Sequence, residues 1–173
     1  MRVLPWRLAK FGLRLTAQKI RLPACGKRHA WQALRAGRRV PTFDFLGFTH
    51  YWGRSRTGKA RLKRKTSKKR LHRALVEIHR WLRQERNTRT LPDLWQAIGH
   101  KMRGHFNYFG VTDNSQALYH FEWAAHRLVF KWLNRRSQRR RCTWESFRRY
   151  STRHPLPHPG RLVPLNPVWQ TTA

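Results

Sequence analysis

Apolar positions along the chain change period as it proceeds, and each change marks a different kind of element. From Ser67 onward Leu71, Leu75, Ile78 and Leu82 recur at spacings of four, three and four, the stripe of an amphipathic helix. A second stripe opens at Thr90-Leu-Pro-Asp93, a capping-box-like start with proline in the first turn. It runs through Leu94 or Trp95, Ile98 and Met102, with Gly104 and Gly110 bracketing its end. A third begins near Asp113 or Asn114 and sets Leu118, Phe121, Ala125, Leu128 and Trp132 on one face. A short fourth starts at Thr143 and carries Trp144, Phe147 and Tyr150. Five prolines between 155 and 167 then exclude helix and predict an extended or disordered tail. Each stripe can be buried only against the others, so the structural centre is a bundle of three to four helices.

Ahead of the bundle the period is two. Thr42 to Trp52 is a β-favouring aromatic run, GRSRTGK is rich in turn residues, and ARLKRK ending at Lys65 reads as a second strand. Alternation puts Arg61, Lys63 and Lys65 on one face of that strand, with Ala60 and Leu62 on the other. The first fifty residues are read as irregular, since Pro5, Pro23 and Pro41 interrupt any long helix and Gly12 and Gly26 mark turns. The expected fold class is mainly α, a helical bundle preceded by a small β-hairpin.

Charge decides which kind of partner such a domain would meet. Thirty-nine Lys and Arg stand against seven Asp and Glu, a formal charge of +32. Eleven of the basic residues fall between 54 and 73, and five of the seven residues from 135 to 141 are Arg. Neither stretch contains a carboxylate, so neither is neutralised by its neighbours, and both call for a polyanion. Cys25 and Cys142 are too few and too far apart for a disulfide framework, which points to an intracellular, reducing compartment. No apolar run is long enough to span a membrane, and charge interrupts MRVLPWRLAKFGLRL before a secretory stretch could form.

Several chemistries are disfavoured by the same inventory. Two-metal phosphoryl transfer needs converging carboxylates, whereas Asp44, Glu77, Glu85, Asp93, Asp113, Glu122 and Glu145 are scattered and suit helix caps or arginine partners. His100 with His105 or His120 could serve acid/base cleavage of RNA, but their spacing has no specific signature, and satisfied or solvated imidazoles are expected. Cys25 with His29 and His154 with His158 are two half-sites with metal-like spacing in loose segments, a weak signal. No cofactor is expected. Trp81, Trp95, Trp123 and Trp132 read as core, while the two basic runs read as phosphate contacts.

Particular words of the sequence then carry a resemblance. FDFLGFTHYWG with RLKRKTSKK, LWQAIGHKMRGHFNYFGVTDN, FKWLNRRSQRR and WESF, in that order, resemble the C-terminal part of group II intron-encoded reverse transcriptase/maturases, from about Leu8, through KFGLRLTAQK and Phe43, to about Leu156. The resemblance implies that residues 1–52 are a palm remnant ending in the FLGF primer-grip block, that 53–155 are the basic strand and helical thumb or domain X, and that 156–173 form a Pro-rich tail. It also implies that the paired-aspartate polymerase box lies upstream of KFGL, so a truncated copy without polymerase activity is expected. Lys19-Ile20 departs from the family's usual Lys-Thr.

The partner implied is group II intron RNA or another structured RNA, gripped while the RNA performs transesterification, with an upstream reverse transcriptase fragment as a further possible partner. Arg54, Arg61, Lys63, Lys65, Lys68, Lys69, Arg103, Tyr108, Arg135, Arg136, Arg139 and Arg140 are the expected RNA contacts. A generic RNA-packaging protein and a subunit completing a split polymerase are the alternatives. Loss of palm partners would leave Phe43, Phe45 and Phe48 exposed.

Overall fold

The computed structural model describes residues 3–14, 26–55, 57–136 and 142–164. Helix makes up 57% of them, so the fold is mainly α, with a three-stranded antiparallel sheet ahead of the long helices. The elements are α1 (Val3–Ala9), α2 (Lys27–Arg35), β1 (Phe43–Phe45), β2 (Phe48–Arg54), β3 (Ala60–Thr66), α3 (Lys68–Glu85), α4 (Leu91–Phe109), α5 (Ser115–Asn134) and α6 (Trp144–Arg153), with strand order β1-β2-β3. The chain divides into two compact units, Met1–Phe43 with Trp52–Arg61, and Asp44–Tyr51 with Leu62–Ala173.

The first unit corrects the expectation of irregular structure. Pro5 falls in the first turn of α1, where its missing N–H costs nothing, and α2 fits between Gly26 and Gly37, the latter at φ +67°. The buried face of α2 is Ala30 and Ala33, residues too small to read as an apolar stripe. The β2–β3 connection closes through Ser55 N–H to Lys59 O at 2.8 Å and Gly58 N–H to Ser55 O at 3.0 Å.

In the second unit, the aromatic run read as one strand is two. Leu46 and Gly47 both take positive φ, 48° and 81°, the signature of a tight two-residue hairpin turn, and this splits β1 from β2. A Cβ on Gly47 would sit 3.4 Å from Arg70 Cγ and 3.5 Å from the Phe109 ring, so the turn is also a close approach. The turn buries Phe48 while leaving Phe45 59% and Leu46 67% exposed, so the expected exposure of Phe48 is not found. Phe48 finds Phe109 instead, ring centroids 5.1 Å apart.

The core of this unit joins Ile78 and Leu82 of α3, Leu94, Ile98, Met102 and Phe106 of α4, Leu118, Phe121, Ala125, Val129 and Trp132 of α5, and Phe147 of α6. Caps fall where the sequence placed them. Ser67 accepts from Arg70 N–H, Thr90 from Asp93 N–H and Thr143 from Ser146 N–H. On α5 the inward residue is Val129, and Leu128 is only partly buried, because the stripe drifts by a residue over five turns. Trp123 is 57% exposed and is therefore not core, whereas Trp95 and Trp132 are buried.

Asn114 is fully buried at the start of α5 and makes no helix cap. Its Oδ1 accepts from Thr66 N–H at 2.7 Å, and its Nδ2 donates to Thr66 Oγ1 at 2.9 Å and to Phe109 O at 2.8 Å. One amide thus ties the end of β3 to the end of α4. A Cβ at Gly110 would lie 2.4 Å from Phe106 O, which reserves that position for glycine. The described chain after α6, through residue 164, carries no helix and is docked: Trp95 Nε1 donates to His154 O at 2.8 Å, Leu156 is buried, and Val163 pairs in parallel with Val111.

Candidate nucleic-acid interface

In the first unit Arg54 is exposed, and its Nη2 donates to Leu34 O at 3.0 Å. That carbonyl, in the last turn of α2, also accepts from Gly37 N–H at 3.4 Å, so the guanidinium adds a second donor and faces the negative end of the dipole. Arg61, on β3, is partly buried.

In the second unit Lys63 is partly buried, and Lys65 is exposed with Nζ 5.3 Å from the Tyr51 ring. Tyr51's phenol is held above its ordinary pKa by burial and then by Asp113. Where β3 gives way to α3, Ser67 sets the helix start and Lys68, Lys69 and Arg70 fill its first turn, all exposed, with no acid among them. Cations there oppose the positive end of an 18-residue helix, which favours anions by ~0.3–1 kcal/mol per charge at low salt. The free N–H groups of that first turn are themselves anion ligands. Sequence reading singled out Lys68 and Lys69; Arg70 belongs with them.

Tyr108 is 57% exposed, and its hydroxyl donates to Leu46 O at 3.0 Å, so it pins the Leu46–Gly47 turn to α4. Arg103 is exposed on α4.

At the far end of α5, Arg135 is exposed and stands 5.4 Å from the ring of Trp132. Arg136 is partly buried, and its Nη2 donates to Arg89 O at 2.7 Å. Arg86 and Lys131 also approach the Trp132 ring, at 4.7 and 5.7 Å, and Arg89 and Lys101 approach Trp81 at 5.9 and 5.0 Å. With carboxylates scarce, indole faces hold these cations by attraction to the ring quadrupole. Trp132 Nε1 donates to His79 Nδ1 at 3.3 Å, so His79 is neutral with its proton on Nε2. Desolvation first, then Lys131, Arg83 and Arg135, push its pKa down.

Sequence reading missed a second basic line on α5. Trp123, Arg127, Lys131 and Arg135 follow at intervals of four, hence on one helix face, and line one cleft with His72 and Val76 of α3. The interval was visible, but it was masked by the apolar stripe on the opposite side.

Three of the acids are paired, two of them within one helical turn: Arg89 with Glu85 at 2.6 Å, Arg149 with Glu145 at 3.1 Å, and, across the fold, His158 Nδ1 with Glu122 at 2.8 Å. Among the described residues no three His, Cys, Asp or Glu gather to hold a metal. His105 stacks on Phe121 at 3.7 Å, burial lowers its pKa to about 4, and its Nε2 has no partner among the described residues, whereas His100 and His120 are exposed. Arg139, Arg140, Cys25, Lys19 and Ile20 lie outside the described residues. Among the described residues no helix is long and apolar enough to cross a membrane.

A family model described as group II intron, maturase-specific domain, matches residues 71–151, from the first turns of α3 to the last of α6. Neither a curated protein nor a solved structure matches the chain. The matched domain is the maturase-specific and not a catalytic one. Over residues 71–151, therefore, the chain is similar to the group II intron maturase-specific domain, consistent with a C-terminal maturase-domain fragment and a maturase-type role in group II intron splicing.

Proposed function

We propose that the domain binds group II intron RNA directly and braces its splicing-competent shape, while the RNA itself carries out transesterification. The observation that carries this reading is the start of α3, where Lys68, Lys69 and Arg70 stand exposed at the positive end of the helix without an acid in the turn. The fold derives no stability from that arrangement, and a phosphate does. Lys63, Lys65, Arg103, Tyr108 and Arg135 extend the contact surface in the same unit, with Arg139 and Arg140 beyond the described residues. Arg54, Arg61 and Arg136 are further phosphate contacts on this reading.

On this reading residues 1–52 are the end of a palm, 53–155 the basic strand and domain X, and 156–173 the tail. An upstream reverse transcriptase fragment is its natural protein partner. Binding is measured against a structured group II intron transcript and an unrelated folded RNA of equal length at moderate salt. Tighter binding to the intron is expected; equal affinities would assign the protein to generic RNA packaging.

A further inference from the structure

The cleft between α3 and α5 has features that phosphate contact alone does not require. It encloses about 1000 Å³, at the upper end of ligand clefts, and is floored by Leu75, Val76, Leu128 and Phe130. Trp144, at the start of α6, also lines it. Trp123 and Trp144 expose 57% and 47% of their surface, and the Arg127 guanidinium lies 4.7 Å from the Trp123 ring. Along the rim, Arg127, Lys131 and Arg135 place a cation about every 6 Å of helix, comparable with the separation of successive phosphates in a strand. No carboxylate is among the lining residues.

We propose that this cleft takes the unstacked bases of unpaired RNA nucleotides, with the bases against Trp123, Trp144 and the apolar floor and the flanking phosphates on the Arg127–Lys131–Arg135 rim. The inference rests on the RNA-binding reading above and specifies its mode: part of the RNA is recognised as single strand and not as duplex shape. Planar aromatic faces beside a regular line of cations fit a strand that has both planar bases and a periodic negative charge. An apolar patch inviting a second copy would instead bring two chains of formal charge +32 together. A smaller cleft of about 420 Å³ shares Trp123, Arg127 and Trp144, so both indoles border the two clefts. Glu122, which lines that smaller cleft, is already held by His158 at 2.8 Å.

The full chain is titrated with an unpaired oligoribonucleotide and with a blunt RNA duplex of the same phosphate number. Trp123→Ala combined with Trp144→Ala should weaken binding of the unpaired RNA on the order of tenfold. The duplex should stay within about twofold, because phosphate contacts do not need the rings. Should that double variant fail to fold by circular dichroism, Val76→Glu, at an exposed position, puts a carboxylate on the floor and should give the same selective loss. Equal loss for both RNAs, or loss for neither, overturns the base cleft while leaving RNA binding intact. A wild-type chain that binds neither RNA removes the RNA-binding reading itself. An acidic amphipathic peptide that binds the wild type but not the variants, with unpaired RNA unaffected, would hand the cleft to a protein partner and overturn the proposal.

Discussion

The two ends of α3 carry the same sign of charge and handle it in opposite ways. At the C-terminal end Arg86 sits 4.7 Å from the Trp132 ring and its Nη1 donates to Arg83 O at 2.9 Å, where the helix dipole already favours a cation. Lys131 and Arg135 also approach this indole but are exposed, so they stay available on the rim of the α3–α5 cleft. At the N-terminal end Lys68, Lys69 and Arg70 face the dipole's positive pole, exposed, with no acid in the turn. Charge at one end is part of the fold; charge at the other opposes it. The difference separates structural arginines from those available to a ligand better than any count of basic residues does.

The comparison breaks most sharply at Trp132. Truncation to Ala removes a large buried side chain, which by itself costs ~3–5 kcal/mol, and leaves three cations without the face that attracts them. Trp132→Leu keeps more of the volume while deleting the ring face and the Nε1–H bond to His79, so it isolates the electrostatic part. Urea unfolding at low and high salt is the measurement. The Leu variant's penalty should shrink as salt screens the stranded cations from one another. A penalty that does not change with salt would mean the indole acts only as packing.

At the other end the bare turn must be held rigid for its charges to stay in place, and Asn114 supplies the anchor one residue before the cap. Asn114→Ala leaves buried Thr66 N–H and Phe109 O without their partner, a loss of ~2–4 kcal/mol by equilibrium unfolding. Asn114→Asp keeps the acceptor for Thr66 and loses the donor to Phe109, and should fall between wild type and Ala. Equal stability for all three would show that the amide is not what ties β3 to α4.

Most of the framework was legible because it depends on local chemistry. Ser67, Thr90 and Thr143 act as caps through their own side chains, and the stripes of α3, α4 and α5 need only a period. What escaped depends on other parts of the chain. The Leu46–Gly47 turn is stabilised by Tyr108, sixty-two residues away, so nothing local marks Leu46 for positive φ. Trp123 sits in a helical register that looks apolar, yet it faces the α3–α5 cleft and solvent. The basic runs were found by density, but Arg136 proved to serve a backbone carbonyl, and the line at 127, 131 and 135 was too dilute to stand out.

A third treatment of charge is not to carry it. His105, stacked on Phe121 with Phe109 tilted against it, has its pKa lowered to about 4 by burial. The unfolded imidazole, near 6.5, therefore takes up the proton first. Stability from this group is complete above about pH 6.5 and is lost as pH falls toward 4, and His79 and His126, shifted the same way, add to the slope. Discounted for its partial exposure, His105 accounts for ~2 kcal/mol over that range. Unfolding measured at several pH values should be flatter for His105→Leu. A slope unchanged by that substitution would place the titration elsewhere.

The smallest expected effect bears most directly on function, because it should change sign between the free and the bound protein. Lys68→Glu with Lys69→Glu puts anions where the α3 dipole favours them, and the free protein should gain ~1 kcal/mol at low salt, a rise in unfolding midpoint that fades as salt is added. The same variant should bind intron RNA more weakly, with the log–log salt slope shallower by about 2 as two phosphate contacts are lost. Stabilisation of the free chain together with loss of RNA binding marks side chains kept for a ligand at the expense of the fold. Loss of RNA binding without stabilisation would mean that the dipole argument is wrong and the lysines act only as charges on a surface. Stabilisation with the salt slope unchanged would move the RNA away from this end of the helix altogether, leaving the α5 rim as the place to look.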